Sequence, residues 1–150
     1  MRIKSIKYSN FRNYEKEGVI QFDTTGKLTI IYGKNGVGKT TLHQLFQWIL
    51  YERVTFNKTT STNILYNLDA GEKLTPGYQM RVCGQLEYEH DKKNYLVRRE
   101  WVYEKNKLGK ISHRSEYDEF YVQMFDENGQ PKKMDNPKLI IENTIPSGLA

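Results

Sequence analysis

The strongest periodic signal lies between residues 28 and 50, where the apolar pattern changes period partway along. Leu28, Thr29, Ile30, Ile31 and Tyr32 form a β-branched and aromatic run short enough for a buried parallel strand, which Gly33 ends. Beyond it Leu42, Leu45, Phe46, Ile49 and Leu50 recur at i, i+3, i+4, i+7 and i+8, with His43, Gln44 and Gln47 off the stripe. That spacing predicts a helix packed on a sheet, with His43 on its surface and Trp48 at its boundary; neither is assigned to a site.

Around this unit the pattern is mostly that of strands. Imperfect alternation over residues 2–9 and a second short run at 19–22, after a turn at Gly18, predict a hairpin, with Asn10-Phe11-Arg12-Asn13-Tyr14 as its connector. Residues 53–78 are polar and without period, as in a surface loop, and Ile64, Leu65, Tyr66 and Leu68 suggest a helical turn leading to Gly71. From Tyr78 onward, strands are expected over 81–88 and 95–104 across a charged turn. Tyr95, Val97, Arg99, Trp101 and Tyr103 then share one face of the second. A further pair, 116–126 and 130–134, is joined across Glu127-Asn128-Gly129, and 137–146 reads as a short helix stopped by Pro146.

Between the predicted strand and helix, Gly33-Lys34-Asn35-Gly36-Val37-Gly38-Lys39-Thr40 satisfies G-x-x-x-x-G-K-[ST] at every fixed position, in the strand-loop-helix context that gives the motif its meaning. A loop of this kind wraps a nucleoside triphosphate in backbone N–H groups, so a side chain at Gly36 or Gly38 would obstruct the approach. Lys39 is expected to reach the β- and γ-phosphates, Thr40 to ligate Mg²⁺ and Thr41 to add a hydroxyl at the α-phosphate. The helix directs its positive end at the anion. ATP and Mg²⁺ are the expected cofactors.

Composition changes the picture modestly. With 37% apolar and 27% charged residues, and 11 Tyr, 6 Phe and 2 Trp, the 150 residues read as globular and suited to one domain. The net charge of +5, from 23 Lys and Arg against 18 Asp and Glu, favours polyanionic partners weakly. Cys83 is alone, which excludes an internal disulfide framework or a cysteine metal cluster, and the first residues lack the apolar core of a signal peptide. No apolar run approaches 18 residues, so a cytoplasmic location and no membrane partner are expected.

Asn10-Phe11-Arg12, then a short strand ending in Phe22, then Gly33 through Leu42 as G-x-N-G-x-G-K-[ST]-[ST]-L, followed by Leu50-Tyr51, resembles the head domain of SMC-like ABC ATPases of the SbcC, RecF and DndD type. Tyr95-x-Val97-x-Arg99 after a charged turn is similar to the β-rich arm of SbcC and DndD heads. The resemblance runs from Arg2 to about Tyr103. It implies an α/β P-loop NTPase fold with a mixed sheet and an antiparallel β arm, in the form of an incomplete N-terminal lobe. It also implies that Arg12 and Asn13 lie close to bound ATP, and that Asn35 is the family's loop asparagine, with Lys34 and Val37 at variable places. The lobe divides into 1–52, the hairpin, phosphate loop and helix; 53–77, the polar loop; 78–134, the β arm; and 135–150, a helix leading out.

By that resemblance the chain is expected to be the ATP-binding part of a DNA-acting ATPase, with Lys39 its catalytic cation, hydrolysing ATP when completed and paired with a second head as a homodimer. A nuclease or other repair or defence subunit is a further expected partner. The alternative is a nucleotide-dependent DNA clamp or sensor with little hydrolysis. A GTPase or small-molecule kinase fits less well, because Asn106-Lys107-Leu108-Gly109 lacks the Asp that selects guanine. Two stretches mimic other ATPase motifs. Residues 121–127 end in Asp126-Glu127, but Gln123 interrupts the apolar run and Asn128-Gly129 signals a hairpin; Ser147-Gly148 lacks the second Gly of an ABC signature. Lys92, Lys93, Arg98, Arg99, Lys105, Lys107, Lys110 and Arg114 would make a basic stripe for DNA if they faced one way; strand alternation favours solvated edges and turns instead.

Overall fold

The computed structural model of the chain describes residues 1–26, 28–34, 36–54 and 64–145. Among these, seven strands form one sheet in the order β2-β1-β3-β4-β6-β7, with β5 also paired to β4. β1 (Arg2–Phe11) and β2 (Tyr14–Gln21) make the N-terminal hairpin. Next come α1 (Lys39–Tyr51) and the short α2 (Leu68–Lys73), then β3 (Gln79–His90) and β4 (Lys93–Lys105). β5 (Ile111–His113), a 3₁₀ turn (Ser115–Tyr117), β6 (Glu119–Phe125), β7 (Pro131–Lys133) and α3 (Pro137–Thr144) complete the described chain.

Every described ladder is antiparallel. β4 carries the arm: it pairs with β3 along its whole length, and on its other side with β6 from Asn94 to Glu100 and with β5 from Tyr103 to Lys105. Its period-2 alternation decides the two faces. Tyr95, Val97, Arg99 and Tyr103 are buried towards the helices, as the alternation predicted, opposite Leu86, Gly84 and Met80 of β3.

α1 lies on that face. Leu42, Leu45, Ile49 and Leu50 are buried as the helical spacing requires. The helix backs directly onto β3 at Gly84, where a Cβ would stand 2.5 Å from Ile49 Cγ1, so the close approach depends on the missing side chain. Trp48 departs from its expected boundary position: it is fully buried, stacked on Phe11 at 5.3 Å and edge-on to Trp101 at 5.9 Å. Only the return of β1 and β4 over the helix creates that slot.

Local expectations change at several points. Gly18, the expected turn, lies within β2 paired with Tyr8, so the hairpin turns at Arg12-Asn13. The strand expected from 116 begins only at Glu119, after the 3₁₀ turn. Residues 28–34 form neither helix nor strand and join no ladder, and Leu28, Ile30 and Tyr32 are 84, 71 and 90% exposed, so the expected buried parallel strand is not formed. An apolar strand of this kind becomes buried only with sheet partners on its flanks, and the described strands pair among themselves instead. Residues 64–67 are extended, not helical, with a bridge between Phe11 and Tyr66, and helix begins only at Leu68. β5 is an additional short strand, paired to the end of β4. The Asn128-Gly129 hairpin forms as predicted, with Asp126 Oδ1 accepting from the N–H groups of Asn128 and Gln130. Ser147-Gly148 lies outside the described residues.

Candidate functional site

The phosphate loop runs from the unpaired segment 28–34 into the first turn of α1. Gly36 and Gly38 both have left-handed backbones, with φ of 86° and 100°. A Cβ on Gly36 would have no atom within 4 Å, so that side of the loop is open; at Gly38 a Cβ would meet the Tyr14 ring at 2.8 Å. Gly36 thus leaves space for an anion, while Gly38 leaves space for the protein's own aromatic ring. Asn35 lies outside the described residues.

Lys39 is the first residue of α1. Its Nζ donates to the carbonyl oxygens of Gly33 and of Lys34, the latter at 3.1 Å, so the ammonium is folded into the loop it belongs to. Thr40 beside it is exposed, and Thr41 is 3% exposed on the packed side of the helix. Lys34 and Val37 are exposed on the loop. A glycine cradle that is open at Gly36, a lysine within it and a helix N-terminus behind it fit a polyphosphate.

The second expected group of residues is joined to this loop by Tyr14. Its hydroxyl donates to Gly38 O at 2.7 Å, the same carbonyl that accepts the Leu42 N–H at 3.0 Å and opens the helix. Burial, and the neighbouring Tyr8 ring at 4.5 Å, raise the Tyr14 phenol above its ordinary value and keep it a proton donor. The turn before Tyr14 carries Arg12, half-buried and with φ of 48°, and the exposed Asn13. Arg12 Nη1 lies 3.4 Å from Ile64 O, and burial draws the guanidinium below its ordinary value.

The basic residues divide among separate tasks. Arg98 pairs with Glu100 at 2.9 Å, Arg99 is buried against Ile49 O and Glu52, Lys105 Nζ donates to Gly71 O and Glu72 O, and Arg114 pairs with Glu104 and Glu116. Lys92 and Lys93 sit at one end of β4, Lys107 and Lys110 beyond the other. Thirteen strand residues separate those ends by about 40 Å. The single basic stripe is therefore not assembled within the lobe.

Tyr14 and Asn67 are the residues that reading the sequence did not assign. Tyr14 is one aromatic among several in the connector. Asn67 emerges from a polar stretch with no pattern, and only its tertiary contacts reveal it: Nδ2 donates to Arg12 O at 2.7 Å.

The profile of the AAA domain family matches residues 5–144. A DNA replication and repair protein RecF from Clostridioides difficile (strain 630) is 35% identical over 63 residues, which is 42% of this chain and 15% of that protein, so the matched stretch spans about a seventh of the relative's length. Among solved structures, a chain from work on ATP-driven dimerization and DNA-stimulated activation of SMC ATPases superimposes with a TM-score of 0.54 at 17% identity, covering 95% of this chain and 76% of the other. That superposition shows a shared fold. No helix among the described residues is long and apolar enough to cross a membrane.

Proposed function

Because the chain belongs to the AAA domain family and has the fold of an SMC ATPase head, we propose that it is the ATP-binding N-terminal lobe of a DNA-acting ATPase, which binds MgATP through residues 33–41 and hydrolyses it when completed and paired with a second head. The observation that carries this reading is the Lys39 ammonium inside a glycine loop open at Gly36, on the N-terminal end of α1.

On this reading Lys39 exchanges the Gly33 and Lys34 carbonyls for β- and γ-phosphate oxygens and neutralises charge on the transferring group. Backbone N–H groups of the loop hold the remaining oxygens. The Thr40 hydroxyl is the ligand for Mg²⁺, which supplies further charge neutralisation when bound, and Thr41 serves the α-phosphate. Arg12 and Asn13 flank the nucleotide from the β1–β2 turn, and Tyr14 keeps that turn at a fixed distance from the loop. Hydrolysis belongs to the completed head, because the Asp126-Glu127 pair that follows β6 is committed to a hairpin turn and supplies no base at the loop.

DNA as the object of the work rests on the weakly basic balance and on what the similar proteins are described as doing. The test is ATP turnover by the full-length protein, with and without double-stranded DNA, beside Lys39→Ala. Turnover that DNA stimulates and the variant lacks is expected. Tight ATP binding without turnover favours a clamp or sensor, and near-normal ATP affinity in Lys39→Ala overturns the role of the phosphate loop.

A further inference from the structure

Asn10 and Arg12 both hold left-handed backbones, with φ of 52° and 48°, a conformation that residues with a Cβ keep only against a local steric penalty. Something outside the turn has to hold it. The segment 64–67, which arrives from a distant part of the sequence, does so at three backbone groups: Arg12 N donates to Leu65 O at 2.7 Å, Asn67 N donates to Asn10 O at 2.8 Å, and Asn67 Nδ2 donates to Arg12 O at 2.7 Å. Arg12 Nη1 also reaches Ile64 O in the same segment.

Of these contacts, one is made by a side chain other than that of Arg12. Asn67 is only 6% exposed, yet its amide is used at both ends, because Oδ1 accepts from Ala70 N at 3.0 Å and so caps α2 while Nδ2 holds the Arg12 carbonyl. An asparagine is needed for this: aspartate retains the cap but has no donor, and serine retains a cap but is too short to span to Arg12. We propose that Asn67 is a positioning residue for nucleotide binding, setting the backbone of the Arg12 turn so that the guanidinium is delivered to the phosphates. The proposal rests on the reading that Arg12 contacts ATP, and the experiment separates the two.

MgATP affinity of the full-length protein is measured for the parent, Asn67→Asp, Arg12→Ala and the double variant. Asn67→Asp is expected to weaken binding about five- to tenfold, the equivalent of one lost hydrogen bond at a strained turn, and to add nothing further in the Arg12→Ala background. An equal loss in both backgrounds overturns the proposal, since it assigns Asn67 to the general integrity of the lobe. Unchanged affinity in Asn67→Asp overturns it as well. If Arg12→Ala itself binds like the parent, the reading of Arg12 falls and takes the proposal with it, an outcome distinct from either. Asn67→Ser, run through the same cycle, gives the answer should the aspartate variant fail to fold.

Discussion

Arg99 shows how much a single position draws from its surroundings. On a strand read as alternating, it points to the buried face, 4% exposed, where Nε donates to Ile49 O at 3.2 Å, Nη1 approaches Glu52 at 3.4 Å and the guanidinium lies 3.9 Å above the Phe120 ring. It sits at the C-terminal end of α1, where carbonyls lack intrahelical donors and a cation is favoured, so a buried charge is satisfied from three sides. Burial still draws it below the ordinary arginine value. Cys83 responds to burial in the opposite sense, its thiol pushed up from 9.0 to about 11. A folded value above the unfolded one means that the folded state holds the proton more firmly. Its contribution to stability is therefore complete below pH 9 and is lost as pH rises through 9 to 11. Iodoacetamide labelling of Cys83 at pH 8 should be about a hundredfold slower in the folded protein than in urea, by thiolate fraction alone; equal rates would show that the thiol is not shifted.

At the scale of elements, the β3–β4 hairpin closes through Asp91 and Lys92, both left-handed, with φ of 48° and 62°. This is the type I′ geometry that matches strand twist, and at Lys92 it is occupied by a residue that does not favour it. Lys92→Gly should therefore stabilise the fold by about 1 kcal/mol, raising the melting temperature by roughly 2–4 °C. A calorimetric scan showing a lower temperature would mean that Lys92 makes a contact worth more than the backbone penalty. The longer elements follow their periodicities closely. α1 buries the stripe its spacing describes, and β3 alternates as written. β4 alternates as far as Arg99, beyond which Glu100 and Val102 of its other face are also buried while Trp101 is half-buried. α2 and β5, at six and three residues, are too short to carry a period and depend on neighbours.

For the whole molecule the decisive feature is the row Leu28, Ile30 and Tyr32, exposed just ahead of the phosphate loop. Large exposed apolar side chains in sequence on an unpaired segment invite association. The 150-residue chain produced alone is expected to self-associate. Ile30→Ser together with Tyr32→Ser should shift its sedimentation towards monomer without lowering its melting temperature. Monomer at all concentrations in the parent would show that the row is covered in solution.

What the sequence determined alone is local chemistry. The glycine-lysine-threonine loop, the helix stripe behind it, the period-2 strands and the Asn128-Gly129 turn each express a preference set within a few residues. The helix and that turn form where those preferences place them, and the strands do so within a few residues, except that the first hairpin turns at Arg12-Asn13 and not at Gly18. The resemblance to SMC-like heads rests on the same kind of short motif and agrees with the match over residues 5–144. What only the tertiary structure decided is which distant groups meet. Whether Trp48 is wet or dry depends on Phe11 and Trp101 closing over it. Whether residues 28–32 form a strand depends on partners beside them, and the described strands all pair elsewhere. The hold of Tyr14 on Gly38 and of Asn67 on Arg12 joins residues 24 and 55 positions apart. Hydrogen bonds between side chains and backbone leave no periodic trace along the chain, because their partners are chosen by the folded geometry and not by the neighbours in sequence.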